Sequence, residues 1–256
     1  MNIKTIVPVA LIAAVVVILS LSVYLGGWLG GEAENQQIEN IKQKFLPRML
    51  KRGRLILQKE NFQQLSPYQA YVTPNDSAVQ ALAAGTTSNQ QAYSTAVQWV
   101  WVSDQTLNGV SEKWLMPHEF LENTSTYPTN PVRPKVASDC ESQTYTLVSL
   151  LRAIGVSAQN VRVVVGKVNF SGEVGGHAWV EINEGSGWFA LEATSGPYWD
   201  DDEGRLYESS GYPYTYFKTH SFPSIEIWGY FNDLYYYNPS TGQGNAPASW
   251  RTLSSA

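Results

Sequence analysis

Cys140 is the only cysteine among 256 residues. No intramolecular disulfide can brace such a chain, so its fold must stand on a hydrophobic core. Nine tryptophans and fifteen tyrosines supply large side chains for one. A lone thiol leaves no multi-cysteine zinc site, and His118, His177 and His220 lack metal-ligand spacing. No metal and no cofactor is expected. The net charge of −5 argues against a nucleic-acid binder, which is usually basic.

The N-terminus departs from this globular pattern. From Ile6 to Gly31 no residue is charged, and Ile6 to Leu25 is almost wholly apolar. About 20 apolar residues cross a bilayer core as a helix, whereas a cleaved signal has a core of about 7–15. Residues 1–30 therefore read as an uncleaved, single-pass membrane anchor. The basic stretch Lys42, Lys44, Arg48, Lys51, Arg52 and Arg54 pulls towards a cytoplasmic domain. Asn-X-Ser sequons at Asn75, Asn123 and Asn169 suit an exported one. Single N-terminal anchors most often carry exported domains. The expected location is the cell membrane, with the C-terminal domain extracytoplasmic.

Residues 31–66 read as an amphipathic helical stalk packed on the domain, the alternative being a basic helix resting on anionic lipid headgroups. Over 34–64, Ile38, Ile41, Phe45, Leu46, Met49, Leu50, Leu55 and Leu57 recur at roughly helical spacing, and Pro47 is placed to kink the helix. Ser66-Pro67 and Thr73-Pro74-Asn75-Asp76 mark a break before a domain over 67–241. The tail 242–256 is rich in Gly, Ser, Ala and Asn and is expected to be loose. Asp200-Asp201-Asp202-Glu203 lacks alternating EF-hand spacing and reads as a solvated loop.

Around Cys140 the local signals converge. Ser138 with Glu141 three residues later makes a capping box, which puts Cys140 in the first turn of a helix. The free N–H groups and positive dipole end there favour a thiolate. Thr144, Leu147, Val148, Leu151 and Ile154 form a core-facing stripe, and Gly155 stops the helix. Val161–Val165 reads as a buried strand. Next, Ala178, Val180 and Ile182 alternate with His177, Trp179 and Glu181, and Gly187–Glu192 follows a turn. A hairpin loop over 183–186 sets Ile182 opposite Gly187, Trp179 opposite Ala190 and His177 opposite Glu192. This predicts a hydrogen-bonded His177–Glu192 pair, which a one-residue slip would misalign. Singly, Cys140 reads as a small buried hydrophobe and His177 as a structural imidazole. Together, a capped thiol, a base and an orienting carboxylate are the parts of a cysteine-nucleophile site.

These residues carry a family resemblance. The segment SDCESQTYTLVSLLRAIGVSAQNVRVVVG resembles the core of the transglutaminase-like superfamily, and GHAWVEI and GWFALEAT resemble its histidine and acid motifs. Upstream, AVQWVWVSDQ and EKWLMPHEFL resemble segments of its microbial cysteine-peptidase members, so the likeness covers about residues 91–198. It implies an α+β, papain-like fold with the cysteine helix packed on an antiparallel sheet, extended by an aromatic-rich segment over 199–241. It implies Cys140 as nucleophile, His177 as general base and acid, and Glu192 as orienting carboxylate. The oxyanion hole would combine the Cys140 N–H with a donor from Trp99, Trp101 or Gln98, of which Trp99 fits the motif best. Two positions depart from the pattern: Ser138 stands where the family usually has Gly, and Glu192 where it usually has Asp. The implied activity is cleavage of amide bonds in a protein or peptide substrate, with hydrolysis favoured over cross-linking. The alternative is an inactive module of the same fold that binds peptide or glycan at the cell surface.

Overall fold

The computed structural model describes residues 31–53 and 57–251. Its first unit ends at Asn40, and residues 31–40 of that unit are helical. The membrane helix expected over residues 1–30 lies outside the described residues. Among those described, no helix is long and apolar enough to cross a membrane. The second unit begins at Ile41.

In chain order its strands are β1 (Val100–Trp101), β2 (Ala137–Ser138), β3 (Val161–Phe170), β4 (Glu173–Asn183), β5 (Trp188–Leu191), β6 (Tyr198–Asp200), β7 (Arg205–Tyr207), β8 (Ser224–Phe231) and β9 (Tyr236–Tyr237). A larger sheet runs β5-β4-β3-β8-β9, antiparallel throughout. A smaller one runs β2-β1-β6-β7, with β1 parallel to both β2 and β6. The valine run Val163, Val164 and Val165 is buried without alternation, because β3 is central and covered on both faces.

The helix Cys140–Ala153 packs on β3 and β4. It is buried from Glu141 to Leu151, not only along the expected stripe. Some of its polar side chains find carbonyl partners. Thr144 Oγ1 donates to the Ala178 carbonyl (3.0 Å), and Ser149 Oγ to that of Tyr145 (2.8 Å). The capping box expected at Ser138 does not form. Ser138 is held in β2 beside Trp101, so the N-cap falls on Asp139, whose side chain makes no capping bond. Gly155 follows the helix with φ 99°, the left-handed conformation of a C-terminal stop.

The stalk also differs. From Ile41 it is part of the domain: a π-turn over Ile41–Phe45, a helix over Leu46–Gly53, and a 3₁₀ turn over Lys59–Phe62. Pro47 lacks an N–H and crowds the preceding turn, which suits a widened turn there. Leu57, Phe62 and Leu65 belong to the hydrophobic core. The expected loose tail is ordered as far as Trp250, which is buried and donates its indole N–H to the Gln159 carbonyl (3.0 Å).

Candidate active site

His177 lies on β4 and Glu192 just past the end of β5. The observed register pairs Asn183 with Trp188, Ile182 with Phe189 and Val180 with Leu191. The loop is therefore 184–187, with Gly185 and Gly187 at φ 95° and 123°, and the register differs by two residues from that read in the sequence. An even slip leaves every side chain on its own face. Continued one pair further, it sets Glu192 beside Trp179 and diagonal to His177, within reach of a long carboxylate. His177 Nε2 and Glu192 Oε2 lie 2.7 Å apart, and both residues are buried. The other carboxylate oxygen accepts the Thr194 N–H (3.1 Å) and its hydroxyl (2.7 Å). A carboxylate so held accepts from Nε2–H, which leaves the Nδ1 lone pair available.

Cys140 is the first residue of its helix and lines one cavity with His177, Trp101 and Phe170. That cavity measures about 20 Å³, room for about one water. The thiol donates to Glu141 Oε2 at 3.1 Å. Burial pushes the thiol well above its ordinary pKa, and the Glu141 and Asp139 carboxylates push it further. This runs against the expectation of a thiolate favoured by the helix terminus: burial first, and then the two adjacent acids, favour the neutral thiol.

Trp99 and Gln98 do not line this cavity. Trp99 packs edge-on against Phe120 in the core (5.1 Å between ring centroids), and Gln98 is exposed. Trp101 takes the place at the cavity wall. Among the described residues, none from the aromatic-rich segment 199–241 lines it either. That stretch supplies the interior strand β8 instead.

The sequence reading missed an acidic cluster beside the thiol. Carboxylate oxygens of Asp104, Asp139 and Glu141, all buried, lie within 4.8 Å of one another. Asp139 Oδ1, Glu141 Oε1 and Oε2 of the neighbouring Glu112 are enclosed without a hydrogen-bond partner. Burial, then repulsion from Glu141, raises Asp104 to about 7 and Glu112 to about 10. Burial and the Asp104 charge hold Asp139 well up as well. Unpaired carboxylate oxygens at this spacing suit a hard, oxygen-seeking cation, which Asp104, Asp139 and Glu141 could hold. The only local sign was Asp139 and Glu141 flanking the cysteine; Asp104 and Glu112 arrive from distant sequence. The loop Asp200–Glu203 is not simply solvated: Asp201 accepts from the Ser103 and Thr106 hydroxyls (2.8 and 2.6 Å).

The family model of the transglutaminase-like superfamily matches residues 80–193, which include Cys140, His177 and Glu192. This segment is a transglutaminase-like domain. No curated protein matches the chain. Among solved structures, Legionella pneumophila LapG in EGTA-treated form is similar at a TM-score of 0.39 and 14% identity, over 69% of this chain and 94% of that one. Its calcium-bound form gives 0.38 and 14%, over 67% and 93%. Likeness at that level carries no weight for the chemistry of the transglutaminase-like site.

Proposed function

We propose that this domain is a cysteine hydrolase of amide bonds in proteins or peptides. The observation that carries the reading is that His177, bonded to buried Glu192, lines the same cavity as Cys140. Glu192 fixes the ring, and Nδ1 takes the thiol proton as sulfur attacks the carbonyl carbon. The Cys140 backbone N–H, with Trp101 as the side chain at hand, faces the developing oxyanion. The imidazolium then protonates the departing amine, leaving a thioester. Water, deprotonated by His177, adds to the thioester, and the products are a carboxylate and the free thiol. Water is favoured as the default acceptor of the thioester. The apolar run Ile6–Leu25 supports a membrane anchor that presents the domain outside the cytoplasm.

Digestion of a peptide mixture in H₂¹⁸O tests this. The full chain is expected to leave one ¹⁸O in each new carboxylate. Cys140→Ala abolishes these products, and His177→Ala cuts their rate by about 10³-fold or more. Products that persist in Cys140→Ala would sink the reading, and incorporation of an added primary amine would redirect it to cross-linking. The rival reading, an inactive module that binds peptide or glycan, draws on the thiol bonding to Glu141 rather than to the ring. It predicts ligand binding with no turnover, unchanged in Cys140→Ala.

A further inference from the structure

The helix Leu46–Gly53 is amphipathic, and most of the side chains it buries lie at the Cys140–His177 cavity. Leu46, Met49 and Leu50, one stripe at i, i+3 and i+4, line that cavity together with Leu57. Two glycines preceding His177 form the seat. At Gly175 an added Cβ would touch the Leu50 side chain at 3.4 Å. At Gly176 it would overlap the Leu57 carbonyl, so main chain rests on main chain. The helix packs on β4 and β3, the strands behind the site.

The outer side is tethered by polar and aromatic contacts. Arg48 Nη1 reaches Asp200 Oδ2 at 2.9 Å and Glu203 Oε1 at 3.1 Å. The Phe45 ring meets Tyr198 edge-on at 3.9 Å. Ser171 Oγ donates to the Lys42 carbonyl at 2.9 Å. Arg48 is 44% exposed, so this latch is open to water and salt.

A cleft that accepts a substrate segment measures roughly 300 Å³ or more. The space left over Cys140 is about 20 Å³. Leu46, Met49, Leu50 and Leu57 take up space beside the sulfur that a peptide segment would need. We infer that residues 41–53 with Leu57 are an autoinhibitory segment, seated in the substrate cleft and released when the Arg48 latch is broken. The inference rests on Cys140 and His177 being the active site. What the segment vacates is a strip of glycine backbone in a cavity also lined by Trp101 and Phe170, suited to an extended chain with apolar side chains.

Two full-chain variants test the segment from opposite sides. Arg48→Glu sets like charges at the latch, and Gly176→Ala wedges a methyl group under Leu57. The lone cysteine allows intact mass to follow its modification by a bulky biotin-maleimide. Both variants are expected to react on the order of 10-fold faster than the native chain, because each shifts the closed–open equilibrium. The melting transition shows that each variant is folded. If Arg48→Glu does not fold, Arg48→Gln takes its place. Folded variants that react no faster than the native chain overturn the segment as a lid. Faster maleimide reaction without ¹⁸O incorporation keeps the lid and removes the hydrolase.

Discussion

Among the buried charged residues of this domain, Arg162 and the acids beside Cys140 are treated in opposite ways. Arg162 is fully buried in the sheet, yet its guanidinium is provided for. Nε and Nη2 donate to Glu181 Oε2 (2.9 and 2.6 Å), and Nη1 to the Trp250 carbonyl (3.3 Å). Its faces lie over Trp188 and Tyr230, at 4.0 and 3.8 Å from the ring centroids. Beside Cys140, acids crowd one another. Among the described residues no salt bridge reaches Asp104, Glu112, Asp139 or Glu141, and three of these leave an oxygen unpaired. A buried charge with its partners is architecture. Buried carboxylates without a counter-charge are uphill, unless protons or a cation neutralise them, and such places tend to be functional.

The contrast can be pressed experimentally. The largest effect is expected at the satisfied pair. Arg162→Ala removes both charged bonds to buried Glu181 and should cost about 3–5 kcal/mol in urea unfolding. A loss under 1 kcal/mol would show that the cage matters little. Next comes cation binding. Millimolar Ca²⁺ should raise the melting temperature, by about 2.7 kcal/mol of stability at a hundredfold excess over Kd. Scanning fluorimetry with and without EDTA reads this, and Asp139→Asn should abolish the shift. No shift in the native chain would mean that protons alone neutralise the cluster. The smallest effect has the opposite sign to the first. Without cation, Glu141→Gln should raise unfolding stability by about 1 kcal/mol, since it removes a charge from a crowded buried site. A loss there would erase the distinction between the two regions.

What the sequence disclosed follows the range of the forces involved. The Cys140 helix and strands β3 to β5 were legible because their patterns are local: a stripe closed by Gly155, a valine run, an alternation around His177. The exact helix start was not, because pairing of Ser138 with Trp101 is a long-range contact that moves the N-cap to Asp139. The amphipathic stripe of Leu46, Met49 and Leu50 was visible, but nothing local says that its partner is the cleft, so it read as a stalk. The acidic cluster escaped because Asp104 and Glu112 approach Asp139 and Glu141 only through the fold. Trp99 and Trp101 look alike in sequence, and only packing against Phe120 separates them.

The hairpin that brings Glu192 to His177 follows a rule of parity. Its ladder can slide by two residues and still present both side chains on one side of the sheet, whereas a slide by one turns the carboxylate away. Insertions and deletions in the 184–187 loop are therefore filtered by whether they move the ladder by an odd or an even count. The pair is inherited through counting, and no single turn residue has to be kept for it to survive.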